Sequence, residues 1–193
     1  LVGGSEADIL EGGLGNDILL GDDGTISLTG VVVFGPVLGE AADILRGEQG
    51  NDRLYGQGGA ELLFGDEGND QLEGGIGNDR LEGGSGLDVL FGEAGQDVLI
   101  GGTEADTLDG GADADRLEGN EGANFLFGRA GADSIIGGSD ADTIFGGTED
   151  DTISGEGGDD VIDAEAGNDR IFGGAGGDRI TGGIGDDRIE GGA

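Results

Sequence analysis

The chain has 193 residues and a formal net charge of −35, from 43 Asp and Glu residues against eight Arg. Without His or Cys it can form neither a Ser-His catalytic triad nor a thiolate or imidazole zinc site. So acidic a chain is not expected to bind nucleic acid or to insert into a membrane, and its 50 glycines argue against a conventional globular core.

The N-terminal block, 1–29, holds three nine-residue repeats of the form G-G-x-G-x-D-x-U-x, in which U is aliphatic. The sixth position of the third repeat is Ile26, and the following segment, 30–37, is apolar and contains no carboxylate. We predict an irregular apolar coil or small loop there, and a break in both rows of acidic residues described below. Because the chain starts at Leu1 with no initiator Met or basic signal segment, we expect it to be a piece of a longer polypeptide.

The remaining block, 38–193, contains 17 consecutive repeats without slippage, from Leu38 to Glu190. Position 8 is Leu or Ile in all 20 repeats of the chain, and position 6 is Asp in 17. Nine glycine-rich residues can hold one tight turn and one short x-U-x strand, with position 8 facing inward. Two repeats then make one coil, and the stacked coils predict an all-β fold: one continuous right-handed parallel β-roll, a β-solenoid of tandem nonapeptides.

The aspartates at position 6 carry the predicted chemistry. Each lies about 4.8 Å, one strand spacing, from its counterpart in the next coil on the same edge of the roll. Like charges at that spacing repel by roughly 3 kcal/mol at an effective dielectric near 20, so the roll should form only if cations occupy the gaps. Ca²⁺ prefers the oxygen ligands present here. The predicted side-chain ligands are Asp8, Asp17, Asp43, Asp52, Asp70, Asp79, Asp88, Asp97, Asp106, Asp115, Asp133, Asp142, Asp151, Asp160, Asp169, Asp178 and Asp187.

Backbone carbonyls of the turns are predicted to complete the coordination, since glycine leaves φ unrestricted and has no Cβ to intrude. The predicted examples are Gly65, Gly68, Gly74, Gly75, Gly77, Gly83, Gly84 and Gly86. The contiguous block offers 15 gaps between successive coils on one edge, so up to about 15 Ca²⁺ ions are expected as cofactors. Glu61 and Asn124 replace the Asp in two repeats and are expected to make weaker sites. Coordination stays open where position 4 is acidic, at Glu104, Asp113, Asp140 and Glu149.

Units such as 74–82 (GGIGNDRLE) and 182–190 (GGIGDDRIE) match the nonapeptide in full. Over about nine tenths of its length the chain resembles the RTX (repeats-in-toxin, hemolysin-type) calcium-binding repeats of secreted bacterial toxins, proteases, lipases, alginate epimerases and large adhesins. The resemblance implies Ca²⁺ in the turns, export by a type I channel and folding outside the cell. It thus implies a secreted, extracellular or cell-surface location.

The predicted function is not enzymatic: a calcium-binding module that folds on binding Ca²⁺ after export and acts as a folding switch and spacer. Its expected partners are calcium ions and the larger parent polypeptide. One alternative is a carbohydrate-contacting accessory module of a polysaccharide-modifying enzyme such as an alginate epimerase, with a polysaccharide as partner; another is the repeat region of a large adhesin. Clustered Arg and aromatic residues on one outer face would favour carbohydrate binding, whereas here they are scattered.

The outward positions 7 and 9 carry the Arg and aromatic side chains. Glu follows two residues after Arg80, Arg116 and Arg188, which predicts exposed ion pairs of little energetic weight. The aromatic residues at position 9 are interpreted either as a docking stripe or as cross-strand packing; they include Phe64, Phe91, Phe127, Phe145 and Phe172.

Overall fold

The computed structural model describes residues 1–3, 8–21, 24–26, 32–34 and 41–193, the two short segments by their backbone alone. All regular structure in this part of the chain is β-strand, so it contains no helix that could cross a membrane. The strands are β1 Ile9–Leu14, β2 Ile18–Leu20, β3 Gly24–Ile26, β4 Val32–Phe34, β5 Ile44–Gln49, β6 Arg53–Gly59, β7 Leu62–Glu67, β8 Gln71–Gly77, β9 Arg80–Ser85, β10 Val89–Ala94, β11 Val98–Thr103, β12 Thr107–Ala112, β13 Arg116–Asn120, β14 Phe125–Ala130, β15 Ser134–Gly138, β16 Thr143–Thr148, β17 Thr152–Gly157, β18 Val161–Ala166, β19 Arg170–Ala175, β20 Arg179–Thr181 and β21 Arg188–Glu190.

Apart from β3 and β4, successive strands alternate between two parallel sheets, as a roll with two repeats per coil requires. The ten-stranded sheet, here sheet 1, has the order β1-β5-β7-β9-β11-β13-β15-β17-β19-β21, and the nine-stranded sheet 2 has the order β2-β6-β8-β10-β12-β14-β16-β18-β20. The register advances by two repeats per coil, for example Leu81 opposite Leu99 and Leu99 opposite Leu117. The predicted all-β parallel roll is confirmed.

The core is a row of aliphatic side chains from position 8 of each repeat, as predicted. From Leu10 to Ile171 these side chains are at most 6% exposed. Burying each of them contributes about 1.5–3 kcal/mol, and the parallel register stacks like upon like along the roll. Near the C-terminal end the row opens, with Ile180 partly buried and Ile189 47% exposed. Leu28, at position 8 of the third repeat, lies outside the described residues.

The strands are longer than the predicted tripeptide. Most span positions 7–9 and continue into positions 1–3 of the next repeat, as β9 does from Arg80 to Ser85. Position 1 interrupts the pairing: in the β9–β11 pair, Glu82 and Gly84 have partners while Gly83 has none in the register. The chain therefore bends at the position 1 glycine and resumes pairing.

The segment after β2 is an insertion that leaves the two sheets continuous. Strand β1 pairs with β5, with Leu10 opposite Leu45, and β2 pairs with β6, with Leu19 opposite Leu54. The sequence separation between stacked partners is 35 at this step, whereas it is 18 in the regular coils. The predicted break of the acidic rows at this point is wrong, because the coils on either side of the insertion stack directly. Within it, β3 and β4 form an antiparallel pair; residues 27–31 and 35–40 lie outside the described part.

Candidate metal centre

The side chains at position 6 form two rows along the roll, one beside each sheet. Ladder 1 consists of Asp8, Asp43, Glu61, Asp79, Asp97, Asp115, Asp133, Asp151, Asp169 and Asp187; ladder 2 consists of Asp17, Asp52, Asp70, Asp88, Asp106, Asn124, Asp142, Asp160 and Asp178. Each residue immediately precedes a strand, so the strand register fixes its position along the axis on which the coils stack. From Asp43 to Asp169 these side chains are at most 3% exposed. The structure therefore brings all the predicted side-chain ligands into two rows, buried over most of their length.

From Asp43 onward, one carboxylate oxygen of each ladder Asp joins neighbouring coils. Oδ1 of Asp97 accepts a hydrogen bond from the backbone N–H of Asp79 at 2.8 Å, and Oδ1 of Asp115 accepts one from Asp97 at 2.9 Å. The same bond recurs along both ladders and crosses the insertion, from the Asp8 N–H to Asp43 and from the Asp17 N–H to Asp52. The Asp side chain thus joins neighbouring coils, which a residue that hydrogen-bonds only within its own turn would not do.

The second carboxylate oxygen, Oδ2, is buried without a hydrogen-bond partner. In most repeats it faces the position 1 glycine of its own turn, so that a Cβ placed on Gly83 would lie 2.5 Å from Oδ2 of Asp88. Gly21 takes this place at Asp43, and position 1 is Ala164 in the repeat of Asp169. A buried acceptor without a partner is costly, and a charged one more so. The same unpartnered oxygen recurs from coil to coil, and this arrangement suits a row of cation sites. The residues that share this unpartnered Oδ2 are Asp43, Asp52, Asp70, Asp79, Asp88, Asp97, Asp106, Asp115, Asp133, Asp142, Asp151, Asp160, Asp169 and Asp178.

Burial and mutual repulsion disfavour the ionised form of these carboxyls and so raise their pKa values. Burial, reinforced by the neighbouring carboxylates, raises the pKa of Asp115 to about 8 and the pKa of Asp97 to about 7, although the backbone hydrogen bond to each acts in the opposite direction. The pKa of Asp70 rises to about 6 for the same reasons. A divalent cation beside Oδ2 would reverse the balance by favouring the charged form.

The glycine turns bring backbone carbonyls to the same gaps. A Cβ on Gly65 would approach the Gly83 carbonyl to 2.5 Å, so the position 1 carbonyls point at the preceding coil. The position 4 carbonyl of Gly68 and the position 2 carbonyl of Gly84 point instead at the following coil, where a Cβ on Gly86 or Gly102 would overlap them. The position 1 carbonyls therefore share the space of the unpartnered Oδ2 atoms, as the Gly83 carbonyl and Oδ2 of Asp70 do beside Gly65, while the position 2 and position 4 carbonyls face the next coil.

This donor set fits calcium. All the converging atoms are carboxylate or carbonyl oxygens, which is the ligand type Ca²⁺ prefers. Within the described ranges no group of three or more His, Cys, Asp or Glu side chains could hold a metal, so an ion here needs backbone carbonyls as well as carboxylates. The neighbouring Asp residues of one ladder, with backbone carbonyls from positions 1, 2 and 4, are the groups that would hold it.

Each position 6 residue is here called a rung of its ladder, and the two rungs that are not Asp differ from the Asp rungs in different ways. At Asn124, Oδ1 accepts from the Asp106 N–H at 2.8 Å, and Nδ2 donates to the Gly122 carbonyl at 2.9 Å, so the buried amide has partners on both sides. At Glu61 the longer side chain places Cγ near Gly56, where an Asp rung places Oδ2, and moves its carboxylate towards Gly59. Neither rung repeats the arrangement of atoms found at the Asp rungs.

A second row of side chains on the outside of the turns is missed by the sequence analysis. At position 5, Oδ1 of Asn51 accepts from the Asn69 N–H and Oδ1 of Asn69 accepts from the Leu87 N–H, each at 3.0 Å. The signal was present, since Asn recurs at position 5. Acidic residues at position 4 act similarly: Glu104 accepts from the Gly86 N–H and Glu149 from the Gly131 N–H.

On the outer faces the three predicted exposed ion pairs, Arg80–Glu82, Arg116–Glu118 and Arg188–Glu190, are present. Phe127 and Phe145 stack on neighbouring strands with ring centroids 5.3 Å apart, so this pair is engaged in cross-strand packing. Two further ion pairs, between strands, were not predicted: Arg46 with Asp66 and Arg129 with Asp109.

Comparison with known protein families is consistent with calcium binding by these repeats. A family model described as the RTX calcium-binding nonapeptide repeat (4 copies) matches residues 1–25, 38–72, 73–108, 100–135, 109–144, 136–171 and 164–193. The residues between the first two matches, 26–37, fall in the insertion. A search of curated proteins gave no significant match. With nearly all of its repeats matched, the chain belongs to the RTX family of calcium-binding nonapeptide repeats.

Proposed function

We propose that this chain is the calcium-dependent folding module of a secreted protein, with the position 6 aspartates and the turn carbonyls as calcium ligands. The observation that supports it most strongly is the repeated buried Oδ2 without a partner. A neutral structural role for these residues would have been served by Asn, as Asn124 demonstrates with both amide groups paired. The carboxylate at the other rungs therefore serves something positively charged.

The fold and the charge together make calcium a switch. Net charge −35 opposes compaction in calcium-free surroundings, and the unpartnered carboxylates add a desolvation cost on folding. Calcium binding then supplies folding free energy, because the complete site exists only when two coils are stacked. Up to about 15 ions could be accommodated, one in each gap of the contiguous block. The chain would remain threadable during type I export and roll up in the millimolar calcium outside the cell.

The rolled module acts as a spacer of fixed length within a larger parent protein. Its coils contact only their neighbours, so folding should propagate from coil to coil as calcium fills the gaps. No catalytic step is assigned to the described residues, since the ionisable side chains of the ladders are committed to the stacking of the coils.

A calcium titration followed by far-ultraviolet circular dichroism tests this proposal, with magnesium as the control. At pH 8 the strand signal should be absent in chelator, appear cooperatively with calcium and fail to appear with equal magnesium. Equal strand content with calcium, magnesium and chelator would contradict the proposal. The carbohydrate-contacting alternative predicts retention on an immobilised polysaccharide in calcium.

A further inference from the structure

The two ladder rungs that are not Asp coincide with the two ion pairs that join different strands. Glu61 precedes β7 and Asn124 precedes β14. Of the five ion pairs among the described side chains, three lie within one strand, while Arg46–Asp66 joins β5 to β7 and Arg129–Asp109 joins β12 to β14. Each inter-strand pair therefore fastens the strand of a substituted rung to the preceding strand of its sheet.

The two fasteners have the same construction with the charges exchanged. In clamp 1 (Arg46, Phe64, Asp66) the guanidinium binds both carboxylate oxygens of Asp66 at 2.8 Å and lies 4.4 Å from the centre of the Phe64 ring. In clamp 2 the guanidinium of Arg129 binds Asp109, with Nη2 to Oδ2 at 2.6 Å, and lies 4.7 Å from the centre of the Phe127 ring. Clamp 2 (Asp109, Phe127, Arg129) extends to a third strand through the Phe127–Phe145 stack.

The spacing is the same in both clamps. The first charged residue and the Phe both occupy position 9, two repeats apart, so that they stand opposite each other on paired strands. The residue of opposite charge occupies position 2 of the repeat that follows the Phe. A charge-assisted Arg–carboxylate hydrogen bond and a guanidinium over an aromatic ring are among the stronger contacts that an outer sheet face can form. Neither contact depends on calcium.

We propose that clamps 1 and 2 hold the coil boundaries whose rung is not Asp, so that the pairs β5–β7 and β12–β14 close at lower calcium than boundaries between two Asp rungs. At Asn124 the rung itself needs no ion, because the amide satisfies the Gly122 carbonyl. The roll would then fold outward from these two calcium-independent fasteners. This inference rests on the proposed function.

Hydrogen exchange measured by mass spectrometry during a calcium titration of the full chain tests the inference. In the wild type, β14 should become protected at a several-fold lower calcium concentration than β10, which belongs to the same sheet but follows the Asp88 rung. Replacing the cation of clamp 2, Arg129→Asp, should raise the calcium midpoint of β14 by about tenfold, the combined effect of an ion pair and a cation–π contact.

The chain itself supplies the rescue variant. Since clamp 1 carries Arg at position 9 and Asp at position 2, the double exchange Asp109→Arg with Arg129→Asp should restore the low midpoint of β14. The control Arg116→Asp makes the same charge change but removes an ion pair confined to β13, and it should leave the β14 midpoint within about twofold of the wild type.

Equal midpoints for β14 and β10 in the wild type, or failure of the double exchange to recover what Arg129→Asp loses, would overturn the inference. Either result leaves the proposed function standing, provided that calcium still protects the strands. Absence of calcium-induced protection in every strand would instead refute the proposed function.

Discussion

Replacing one ladder aspartate by asparagine should have opposite effects with and without calcium. Asp88 is suited to the test because its Oδ1 accepts from the Asp70 N–H at 2.8 Å while its Oδ2 has no partner. Asn124 shows that an amide fits such a rung and that Nδ2 can reach the position 4 carbonyl, which at Asp88 belongs to Gly86. In chelator, Asp88→Asn removes repulsion from Asp70 and Asp106 and gains a hydrogen bond.

The magnitude follows from the spacing of the rungs. Each neighbouring carboxylate contributes up to about 3 kcal/mol of repulsion at about 4.8 Å and an effective dielectric near 20, reduced by salt, and the new hydrogen bond contributes about 1 kcal/mol. We therefore expect Asp88→Asn to raise the free energy of unfolding by about 2–4 kcal/mol in chelator. In saturating calcium the same change weakens two sites, and a tenfold loss at each lowers it by about 2.7 kcal/mol.

Two circular dichroism measurements at pH 8 separate these effects. In chelator, where an excluded osmolyte can drive compaction, Asp88→Asn should fold at a lower osmolyte concentration than the wild type. In calcium it should unfold at a lower urea concentration. The exposed control Asp186→Asn carries the same charge change outside the ladders and should stay within about 0.5 kcal/mol in both conditions. Destabilisation of Asp88→Asn in both conditions would refute the reasoning.

Three further predictions concern protons, the core and the turns. Several buried ladder carboxyls have a folded-state pKa of about 6–8, above their ordinary 3.8, so the metal-free roll binds more protons than the unfolded chain between these values. In chelator the roll should therefore be most stable below about pH 4 and lose strand signal as the pH rises through 6–8. The reverse trend would contradict this prediction. Leu99→Ala should lower the calcium-bound unfolding free energy by about 2–5 kcal/mol in a urea titration, while the 54% exposed control Leu87→Ala changes it by less than about 0.5 kcal/mol, and equal effects would argue against the aliphatic core. Gly77→Ala should lower the unfolding free energy by at least about 2 kcal/mol, because φ is 146° and a Cβ would overlap the Gly59 carbonyl. The control Gly191→Ala, with open space around it, should be nearly neutral. A neutral Gly77→Ala would mean that the turns are looser than described.

The period of nine made most of the fold predictable. Once position 8 is always Leu or Ile and position 6 almost always Asp, the two-repeat register and the two rows follow from the alternation of a strand. Contacts across the insertion were not predictable in this way. The pairing of Leu10 with Leu45 crosses the whole insertion, and a slip in the local frame is indistinguishable in sequence from a break in the roll.

At the site, the identity and location of the rung residues were predictable but the division of labour within each carboxylate was not. A repeat pattern cannot show that Oδ1 joins the coils while Oδ2 faces the position 1 glycine, because this depends on the height of one turn above the next. The clamps were not predicted, for a related reason. Asp109 and Arg129 meet only because strands two repeats apart pair with each other. The Arg116–Glu118 ion pair was predicted because its two residues lie close together in the sequence.

The most direct measurement is anomalous diffraction from crystals of the chain grown in calcium. We expect one peak in each gap between successive Asp rungs of a ladder, within bonding distance of an Oδ2 atom and of turn carbonyls, and weak or absent peaks beside Asn124. Gaps filled only by water, in a roll that is otherwise folded as described, would contradict it.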